Sequence, residues 1–349
     1  MIDKLSIYNF RGLNDLIIDD LSHVNIFVGA NNSGKTSVLE ALHLMGSPNN
    51  IGRLVELALL RSQSTTEIRE KNRVNYMLSI LQKVSDENQQ SHYHIKLGVS
   101  AGGHDYEYEA YGTLEEITDS VGTAEKMLDI AIETSVDNGK VNVRHIEITN
   151  GENAGFSSKI KPVYKALYLH STVSYYRNCA NLLADYIVQE GKTEALHILQ
   201  AFDANIDDIS IVGEDIYLHN TLSGTMPLFA YGSGLQKAVL LTVAIVYCKN
   251  GAILIDEIDN AIHVSAFEDV FRWFLDVCLK WNVQAFITTH SAEALDAILK
   301  IANEKRADKD VLRIITLRKN YSSNTTSKRI RSGEEAYSDR ASFKMELRV

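Results

Sequence analysis

The sequence has few of the residues that cross-link or interrupt a chain: three cysteines and three prolines in 349 residues. Cys179, Cys248 and Cys278 are odd in number and form no CxxC spacing, which argues against a disulfide framework and a structural zinc site. So few prolines leave no room for a proline-rich linker. There is no run of eighteen apolar residues and no apolar signal-peptide segment. We therefore expect neither a membrane span nor secretion, but a cytoplasmic protein.

Positive charge is also scarce over most of the chain. The net charge is −10, and residues 300–349 hold 13 Lys and Arg against 7 Asp and Glu, so this segment carries +6 and the rest −16. An acidic body argues against a large nucleic-acid footprint, because phosphate contacts supply most of the affinity for nucleic acid. The basic C-terminal segment leaves a local contact with nucleic acid open, although a solvated basic surface is the commoner case.

The spacing of the apolar residues, which make up 45% of the chain, predicts an α/β protein. Strands are predicted at 5–10, 14–19, 24–28, within about 91–170, and near 209–212 and 215–219, with helices over 37–45, 53–84 and 174–202. The last third alternates cleanly, with helices at 233–249 and 265–280 and strands at 252–256 and 283–289. Because alternating strands and helices imply parallel strands with crossover helices, we predict a mostly parallel sheet here.

Residues 29–36, GANNSGKT, fit the phosphate-binding pattern GxxxxGK[ST] with every fixed position filled. A predicted strand precedes them and an amphipathic helix follows. The glycines allow backbone N–H groups to turn toward phosphate oxygens, and the helix adds its positive N-terminal end. Lys35 would reach the β- and γ-phosphates, and the Thr36 hydroxyl would bind Mg²⁺. The sequence therefore predicts a nucleotide site at this loop.

Two carboxylates, Asp256 and Glu257, follow the apolar residues 253–255 at the end of a predicted strand. Asp256 would hold Mg²⁺, usually through water, and Glu257 would orient and deprotonate the attacking water. His290 ends the next predicted strand and could donate to the γ-phosphate. Alone, the two acids could be helix-capping residues and the histidine structural. Beside the phosphate loop, we interpret all three as parts of a catalytic site.

Residues 231–237, YGSGLQK, begin a predicted helix shortly before the acidic strand. A Ser-Gly pair at a helix N-terminus can present a hydroxyl, two N–H groups and the helix dipole to an anion. A plain helix cap is the alternative, since the pattern is weak by itself.

In the order FRG, GANNSGKT, GSGLQK, LIDEID and TTHS, these segments resemble the ABC-type ATPase heads of the SMC/RecF group. The closest resemblance is to the ATPase portion of bacterial overcoming-lysogenization-defect (OLD) proteins and their stand-alone AAA relatives. It implies an α/β P-loop NTPase fold of ABC-ATPase type, with a mostly parallel core sheet, a β-rich lobe and a helical subdomain. The single head would comprise a nucleotide-binding core of 1–50 and 160–320, an inserted helical and β-rich lobe of 51–160, and a short basic C-terminal extension of 320–349.

The resemblance also implies a role for each motif residue. The residues implied to bind nucleotide are Arg11, Asn31, Asn32, Ser33, Gly34, Lys35, Thr36 and Ser37. Thr36 and Asp256 would bind Mg²⁺, and Glu257 and His290 would be catalytic. The signature motif, whose serine contacts ATP bound to the opposite subunit in this family, would consist of Ser233, Gly234 and Gln236. The D-loop would consist of Asp259, Asn260 and His263. This chain departs from the family pattern in that Leu235 replaces the second signature glycine. For the Q-loop, only Gln63 and the stretch around His170 and Ser171 are candidates.

Two segments that related proteins contain are not found in this sequence, and this affects which partners we expect. Residues 36–230 contain no long heptad run of SMC type, and the roughly fifty residues after Ser291 are too few for the TOPRIM nuclease of OLD proteins. Stand-alone ATPases of this resemblance are often encoded beside nucleases or toxins in phage-defence operons. We therefore expect a separately encoded effector, nuclease or toxin. Because one set of motifs leaves each ATP half enclosed, we also expect a homodimer or higher homo-oligomer around ATP and Mg²⁺.

The expected function is a slow Mg-ATP hydrolase that works as a conformational switch. A P-loop kinase is disfavoured, since nothing resembles an acceptor site or an arginine-rich lid. A GTPase is disfavoured because no NKxD motif is present. Two alternatives stay open: a non-catalytic scaffold that holds ATP, and a DNA-repair clamp of RecF type.

Overall fold

The computed structural model describes residues 1–60, 72–85, 91–118, 124–139, 141–150, 162–170, 183–184, 192–200, 203–213, 215–260, 262, 264, 267–304, 311–320, 322–343 and 346–347. The chain forms two compact units. The first unit comprises Met1–Leu21, Ala30–Tyr164 and Leu317–Arg329. The second unit comprises Ser22–Gly29, Lys165–Thr316 and Ile330–Val349.

Within these ranges the strands are β1 (Ile2–Phe10), β2 (Leu13–Ile18), β3 (Val24–Val28), β4 (Gln82–Ser85), β5 (Ser91–Ala101), β6 (His104–Thr118), β7 (Ala124–Val136), β8 (Asn142–Ile148), β9 (Ala166–Leu169), β10 (Ile206–Val212), β11 (Asp215–Asn220), β12 (Gly224–Pro227), β13 (Ala252–Ile255), β14 (Gln284–Thr288), β15 (Leu312–Asn320) and β16 (Thr325–Ser332). The helices are α1 (Lys35–Met45), α2 (Ile51–Leu60), α3 (Arg73–Leu78), α4 (Lys192–Gln200), α5 (Ser233–Tyr247), α6 (Phe267–Lys280), α7 (Ala292–Glu304) and α8 (Gly333–Phe343). No helix among the described residues is long and apolar enough to cross a membrane.

The first unit is built on an antiparallel sheet in the order β2-β1-β5-β6-β7-β8, with β4 paired to β5. Side chains alternate across it, so that residues such as Leu97 and Tyr108, which lie opposite each other, are buried. Helix α1 contacts β1 and β5. The predicted period-two pattern is confirmed for β5, β6, β7 and β8, whereas residues 151–161 of the predicted range lie outside the described residues. The helix predicted over 53–84 is wrong at its end, because residues 82–85 form β4 by pairing with β5.

Another sheet has the order β16-β15-β3-β14-β13-β9, and its strands β3, β14, β13 and β9 belong to the second unit. Strands β15, β3, β14, β13 and β9 pair in parallel. The alternation of strands and helices predicted this for β13 and β14, whereas β15 was not predicted. Every residue of β3, β13 and β14 is buried, which explains why these strands are mainly apolar. Their polar residues, Asn25, Gln284 and Thr288, are buried as well. Helices α6 and α7 contribute their apolar stripes to this core through residues such as Phe271 and Leu295.

A smaller antiparallel sheet, β10-β11-β12, also belongs to the second unit. Its buried residues, including Ile209 and Leu218, form a core with Val239 and Val243 of α5. Strands β10 and β11 confirm the predictions near 209–212 and 215–219, whereas β12 was not predicted. Of the helix predicted over 174–202, the structure describes residues 183–184 and 192–200 as helical, and the other positions lie outside the described residues.

The observed division differs from the expected one at both ends of the chain. Strands β1 and β2 pair within the sheet of the first unit, whereas residues 1–50 were expected in the nucleotide-binding core. Near the C-terminus, β16 pairs with β15, and α8 of the second unit contacts α7, so residues 320–349 are not a mere extension. Basic side chains there are paired, since Arg331 lies 3.0 Å from Asp339 and Arg340 lies 2.6 Å from Asp296.

Candidate nucleotide site

Three parallel strands of the second unit end at the same edge of its sheet. Because β3, β14 and β13 are parallel neighbours, their carboxyl ends meet there. Gly29 follows β3, Asp256 follows β13, and Thr289 and His290 follow β14. The sheet thus brings to one edge the start of the phosphate loop, the acidic pair and the predicted histidine. This is the edge at which open α/β sheets bind ligands.

The phosphate loop continues in the first unit with residues 30–36, and its backbone has the conformation that an anion-binding loop requires. Asn32 and Gly34 have positive φ angles of 61° and 99°. The Ser33 N–H donates to the Ala30 carbonyl at 3.2 Å, and α1 begins at Lys35. Alternation between left- and right-handed residues before a helix N-terminus turns successive N–H groups inward. The loop therefore fits a phosphate chain.

Two side chains of this loop are buried although they are polar. Lys35 is 5% exposed, and its Nζ donates to the Ala30 carbonyl at 3.0 Å, which folds the ammonium back across the loop. Ser33 is 2% exposed, and its Oγ is without a hydrogen-bond partner in the part of the chain that the structure describes. A buried hydroxyl that lacks a partner is costly, so Ser33 is suited to donate to a bound phosphate oxygen. Asn31 and Asn32 are exposed, Thr36 is half-buried and Ser37 is buried.

Both the space around Gly34 and its backbone conformation favour glycine at this position. A Cβ atom at this position would lie 2.4 Å from Cδ2 of Leu13, which is itself buried. Together with its φ of 99°, this leaves glycine as the residue that the position accepts.

The acidic pair is held by one threonine of the neighbouring strand. The Thr288 hydroxyl donates to Oδ1 of Asp256 at 2.7 Å and accepts the N–H of Glu257 at 2.8 Å. Asp256 is 7% exposed, and its own N–H donates to the Leu169 carbonyl of β9. Glu257 is half-buried and has a positive φ of 54°, an uncommon conformation for a residue with a long side chain. Backbone and side-chain contacts thus fix the direction in which both carboxylates leave the strand.

The turn after Glu257 carries the two predicted D-loop residues that the structure describes. The Asn260 N–H donates to the Glu257 carbonyl at 3.0 Å, and the Thr289 hydroxyl donates to Oδ1 of Asp259 at 2.6 Å. The Lys237 ammonium donates to the carbonyls of Glu257, at 3.2 Å, and Asn260. His263 lies outside the described residues.

The signature segment begins α5, as predicted. Helix α5 starts at Ser233, with Gly232 at its N-cap, and the structure describes only the backbone of Ser233 and Gly234. Gln236 was predicted to contact ATP in trans, but its amide donates to the carbonyl of Tyr231 at 2.6 Å and more weakly to that of Phe229. In this structure Gln236 therefore stabilises the turn that leads into the helix.

Arg11 has a different environment from the one that nucleotide binding predicts. Its Nε lies 2.8 Å from Glu40 of α1, and its Nη2 donates to the Leu57 carbonyl of α2. Both charged side chains are buried, at 6% and 0% exposure. The guanidinium thus holds the β1–β2 turn against the two helices that follow the phosphate loop, all within the first unit.

His290 is exposed and stands between β14 and the start of α7. The next residue, Ser291, caps that helix, because its Oγ accepts the N–H of Ala294 at 3.0 Å. Of the Q-loop candidates, His170 is buried, whereas Gln63 and Ser171 lie outside the described residues.

Sequence reasoning missed two residues of this site. Thr288 lies in the quoted TTHS motif, but only the pairing of β14 with β13 shows that its hydroxyl reaches both acids. Lys237 closes the quoted GSGLQK motif, and its contact lies twenty residues further along the chain. Among the residues that the structure describes, no three His, Cys, Asp or Glu side chains form a group that could hold a metal.

Comparison with known proteins agrees with this geometry. Residues 24–296 match the family described as “AAA domain, putative AbiEii toxin, Type IV TA system”. The chain is 26% identical over 333 residues to a Helicobacter pylori protein named ATP/GTP phosphatase, and the match covers 87% of this chain and 89% of that protein. A shorter match, 39% identical over 69 residues, is to the DNA replication and repair protein RecF of Lactobacillus acidophilus, and covers 20% of this chain and 15% of RecF.

The fold is also similar to a solved structure. The crystal structure of an SMC head bound to the C-terminal winged-helix domain of ScpA superposes with a TM-score of 0.52 at 15% identity, and the match covers 96% of this chain and 99% of that one. At this identity the similarity speaks for the fold alone. The family match covers most of the chain and contains the phosphate loop, the signature segment and the acidic pair. The chain therefore belongs to this AAA domain family, and its fold is similar to that of an SMC head.

Proposed function

We propose that this ATPase binds Mg-ATP through the phosphate loop, hydrolyses it slowly with Glu257 as the base, and works as a switch for a separate effector. The observation that carries the proposal is the shared hydrogen bonding of Asp256 and Glu257 to Thr288, at the edge where the phosphate loop leaves β3. If Glu257 only capped a turn, there would be no need for the buried Thr288 hydroxyl to bind both the Glu257 N–H and the Asp256 carboxylate. The name of the Helicobacter pylori relative, ATP/GTP phosphatase, supports the same activity.

Each residue has a distinct task in the proposed reaction. Lys35 and the loop N–H groups bind the β- and γ-phosphate oxygens, while Thr36 and Asp256 hold Mg²⁺. The metal ion, when bound, neutralises charge on the phosphate oxygens. Glu257 accepts the proton of the attacking water, and His290 donates to the γ-phosphate.

Two substitutions separate binding from hydrolysis. Glu257→Gln keeps ATP binding but loses most turnover, because an amide cannot accept the proton of the water. Lys35→Ala loses affinity for ATP instead. Equilibrium binding of a fluorescent ATP analogue and steady-state phosphate release measure the two quantities, with GTP as a second substrate. Equal turnover by Glu257→Gln and the wild type would remove Glu257 from the mechanism. Binding without any turnover by the wild type would favour the non-catalytic scaffold.

We further propose that two chains close around two ATP molecules. One phosphate loop and one signature segment occur in the chain, so each ATP contacts Lys35 of one subunit and Ser233 of the other. Glu257→Gln with ATP should therefore be dimeric or larger by light scattering. Ser233→Arg should lose this association while it still binds nucleotide as a monomer. A monomeric Glu257→Gln protein in saturating ATP contradicts the arrangement.

The effector is proposed to lie on another polypeptide, a nuclease or toxin in anti-phage defence. The family description, which names the AbiEii toxin and type IV systems, supports a role of this kind. The tests are copurification with the product of the neighbouring gene and a nuclease assay of the purified chain with Mg²⁺ and Mn²⁺. DNA cleavage that survives Lys35→Ala would show an active site within the chain itself.

The second candidate is a DNA clamp of RecF type, which the short match to RecF favours. The acidic body of the chain and the paired arginines of its C-terminal segment oppose it. Stimulation of ATP turnover by duplex DNA at a stated salt concentration distinguishes this candidate from the switch. A rate that DNA leaves unchanged rejects it.

A further inference from the structure

We infer that Lys237 is a positioning residue for hydrolysis: its ammonium fixes the backbone of Glu257 and so links the signature helix α5 to the catalytic carboxylate. This inference rests on the proposed role of Glu257 as the base. It assigns to Lys237 a task separate from the contact with ATP that the signature motif makes at Ser233.

The contacts of the Lys237 ammonium are unusual for a lysine. It donates to two backbone carbonyls, those of Glu257 and Asn260, which are the first and last residues of one turn. The Glu257 carbonyl also accepts the Asn260 N–H at 3.0 Å, so the lysine and the turn share one acceptor. A cation on both carbonyls of a tight turn stabilises the turn and fixes the orientation of its peptide groups.

The conformation of Glu257 explains why such a contact is needed. Its φ of 54° is disfavoured for a glutamate, and a residue in such a conformation persists when its surroundings hold it there. Thr288 holds the N–H of Glu257, and Lys237 holds its carbonyl. With both peptide groups fixed, the direction of the side chain at this residue is fixed as well.

Placing the Lys237 ammonium at this position costs desolvation free energy. Burial lowers the pKa of Lys237 to about 8, although the charges of Asp259 and Glu257 act in the opposite direction. A surface lysine would avoid this desolvation. Lys237 also lies in the first turns of α5, so movement of the signature helix would be transmitted to the turn at Glu257.

The test is a double-mutant cycle on turnover. Lys237→Met should lower kcat by about 10–100-fold, with ATP affinity close to that of the wild type, because displacement of a catalytic group by about an ångström has an effect of this size. In a Glu257→Gln background the same substitution should change the residual rate by less than about twofold, because both act through one group. Lys300→Met is the matched control, since it removes an exposed lysine of the same unit.

Chemical rescue provides a readout that a structural role would not affect. Propylammonium should restore turnover to Lys237→Ala, because it can donate to the two carbonyls, whereas tetramethylammonium, which has no N–H group, should not. If Lys237→Met proves unstable, Lys237→Gln keeps an N–H donor of shorter reach, and the same non-additivity with Glu257→Gln is required of it.

Two results would overturn the inference. One is wild-type turnover by Lys237→Met, and the other is a loss that adds fully to that of Glu257→Gln. Both leave the proposed function intact, provided that Glu257→Gln alone removes turnover. An inactive wild type, or an active Glu257→Gln, would instead refute the proposed function and with it the basis of this inference.

Discussion

The Thr288 hydroxyl lies 2.7 Å from Oδ1 of Asp256, across the pairing of two parallel strands. The same oxygen accepts the N–H of Glu257, so its one proton must point to Asp256. Oδ1 of Asp256 is therefore the acceptor of this hydrogen bond. A single side chain of β14 thus sets the geometry of both acids at the end of β13.

Thr288→Val tests this arrangement with little change in shape. Asp256 loses a donor and the Glu257 N–H loses its acceptor, so we expect the free energy of unfolding to fall by about 1–3 kcal/mol. Turnover should fall further than ATP affinity, because the phosphate loop is unchanged. Thr288→Ser keeps the hydroxyl and is the control. Urea denaturation measures the loss of stability, and steady-state kinetics measure the loss of turnover. Equal turnover by the valine and serine variants would contradict the predicted effect on turnover.

The buried pair of Arg11 and Glu40 allows a second prediction, on stability. Loss of one partner leaves an uncompensated buried charge, so Arg11→Met should lower the free energy of unfolding by about 3–5 kcal/mol. The double variant Arg11→Met with Glu40→Leu should lose less than Arg11→Met alone, since no charge is left buried. Chemical denaturation without nucleotide measures both.

Arg11→Met also decides whether Arg11 contacts nucleotide, as the FRG motif predicted. If Arg11 acts only through Glu40 and Leu57, the double variant should regain ATP affinity together with stability. An affinity that stays low in a stable double variant would show that the guanidinium has a role at the phosphates as well.

Several strands of the second unit could be predicted from the sequence because they are buried on both faces. Mainly apolar segments mark β3, β13 and β14, and polar motifs begin where these segments end. The parallel order followed from the alternation with helices. Local patterns therefore identified the phosphate loop and the two acids without knowledge of any long-range contact.

Features that depend on long-range pairing could not be predicted in this way. Strand β4 has the sequence QKVS and exists through its pairing with β5, and β12 is four residues long and contains both glycine and proline. The partners of Lys237 and Thr288 lie 20 to 32 residues away, so no local period reveals them. The buried environment of Arg11 likewise depends on helices that follow it by about thirty residues or more.

Gly34→Ala should abolish tight ATP binding. The added Cβ would approach Leu13 to 2.4 Å, and φ of 99° is disfavoured for any residue with a side chain, so the loop must change its backbone. Gly102→Ala is the matched control, because Gly102 also has positive φ, of 60°, but no atom lies within 4 Å of the added Cβ. It should cost about 1 kcal/mol of stability and leave ATP binding unchanged. Binding isotherms for the two variants test this, and similar affinities would show that the close approach to Leu13 is unimportant.

The last prediction concerns pH and Lys237. In the folded chain its pKa is about 8, whereas an exposed lysine has a pKa of 10.5. Between these values the unfolded chain binds more protons, so the contribution of Lys237 to the free energy of unfolding rises with pH and is lost as pH falls through 8. The Tm of the wild type minus that of Lys237→Met should therefore increase from about pH 7.5 to about pH 10. For Lys300 the hydrogen bond to Glu268 raises the pKa, so the same difference measured with Lys300→Met should not increase. A flat difference for Lys237→Met would show that its ammonium is well solvated in the folded protein.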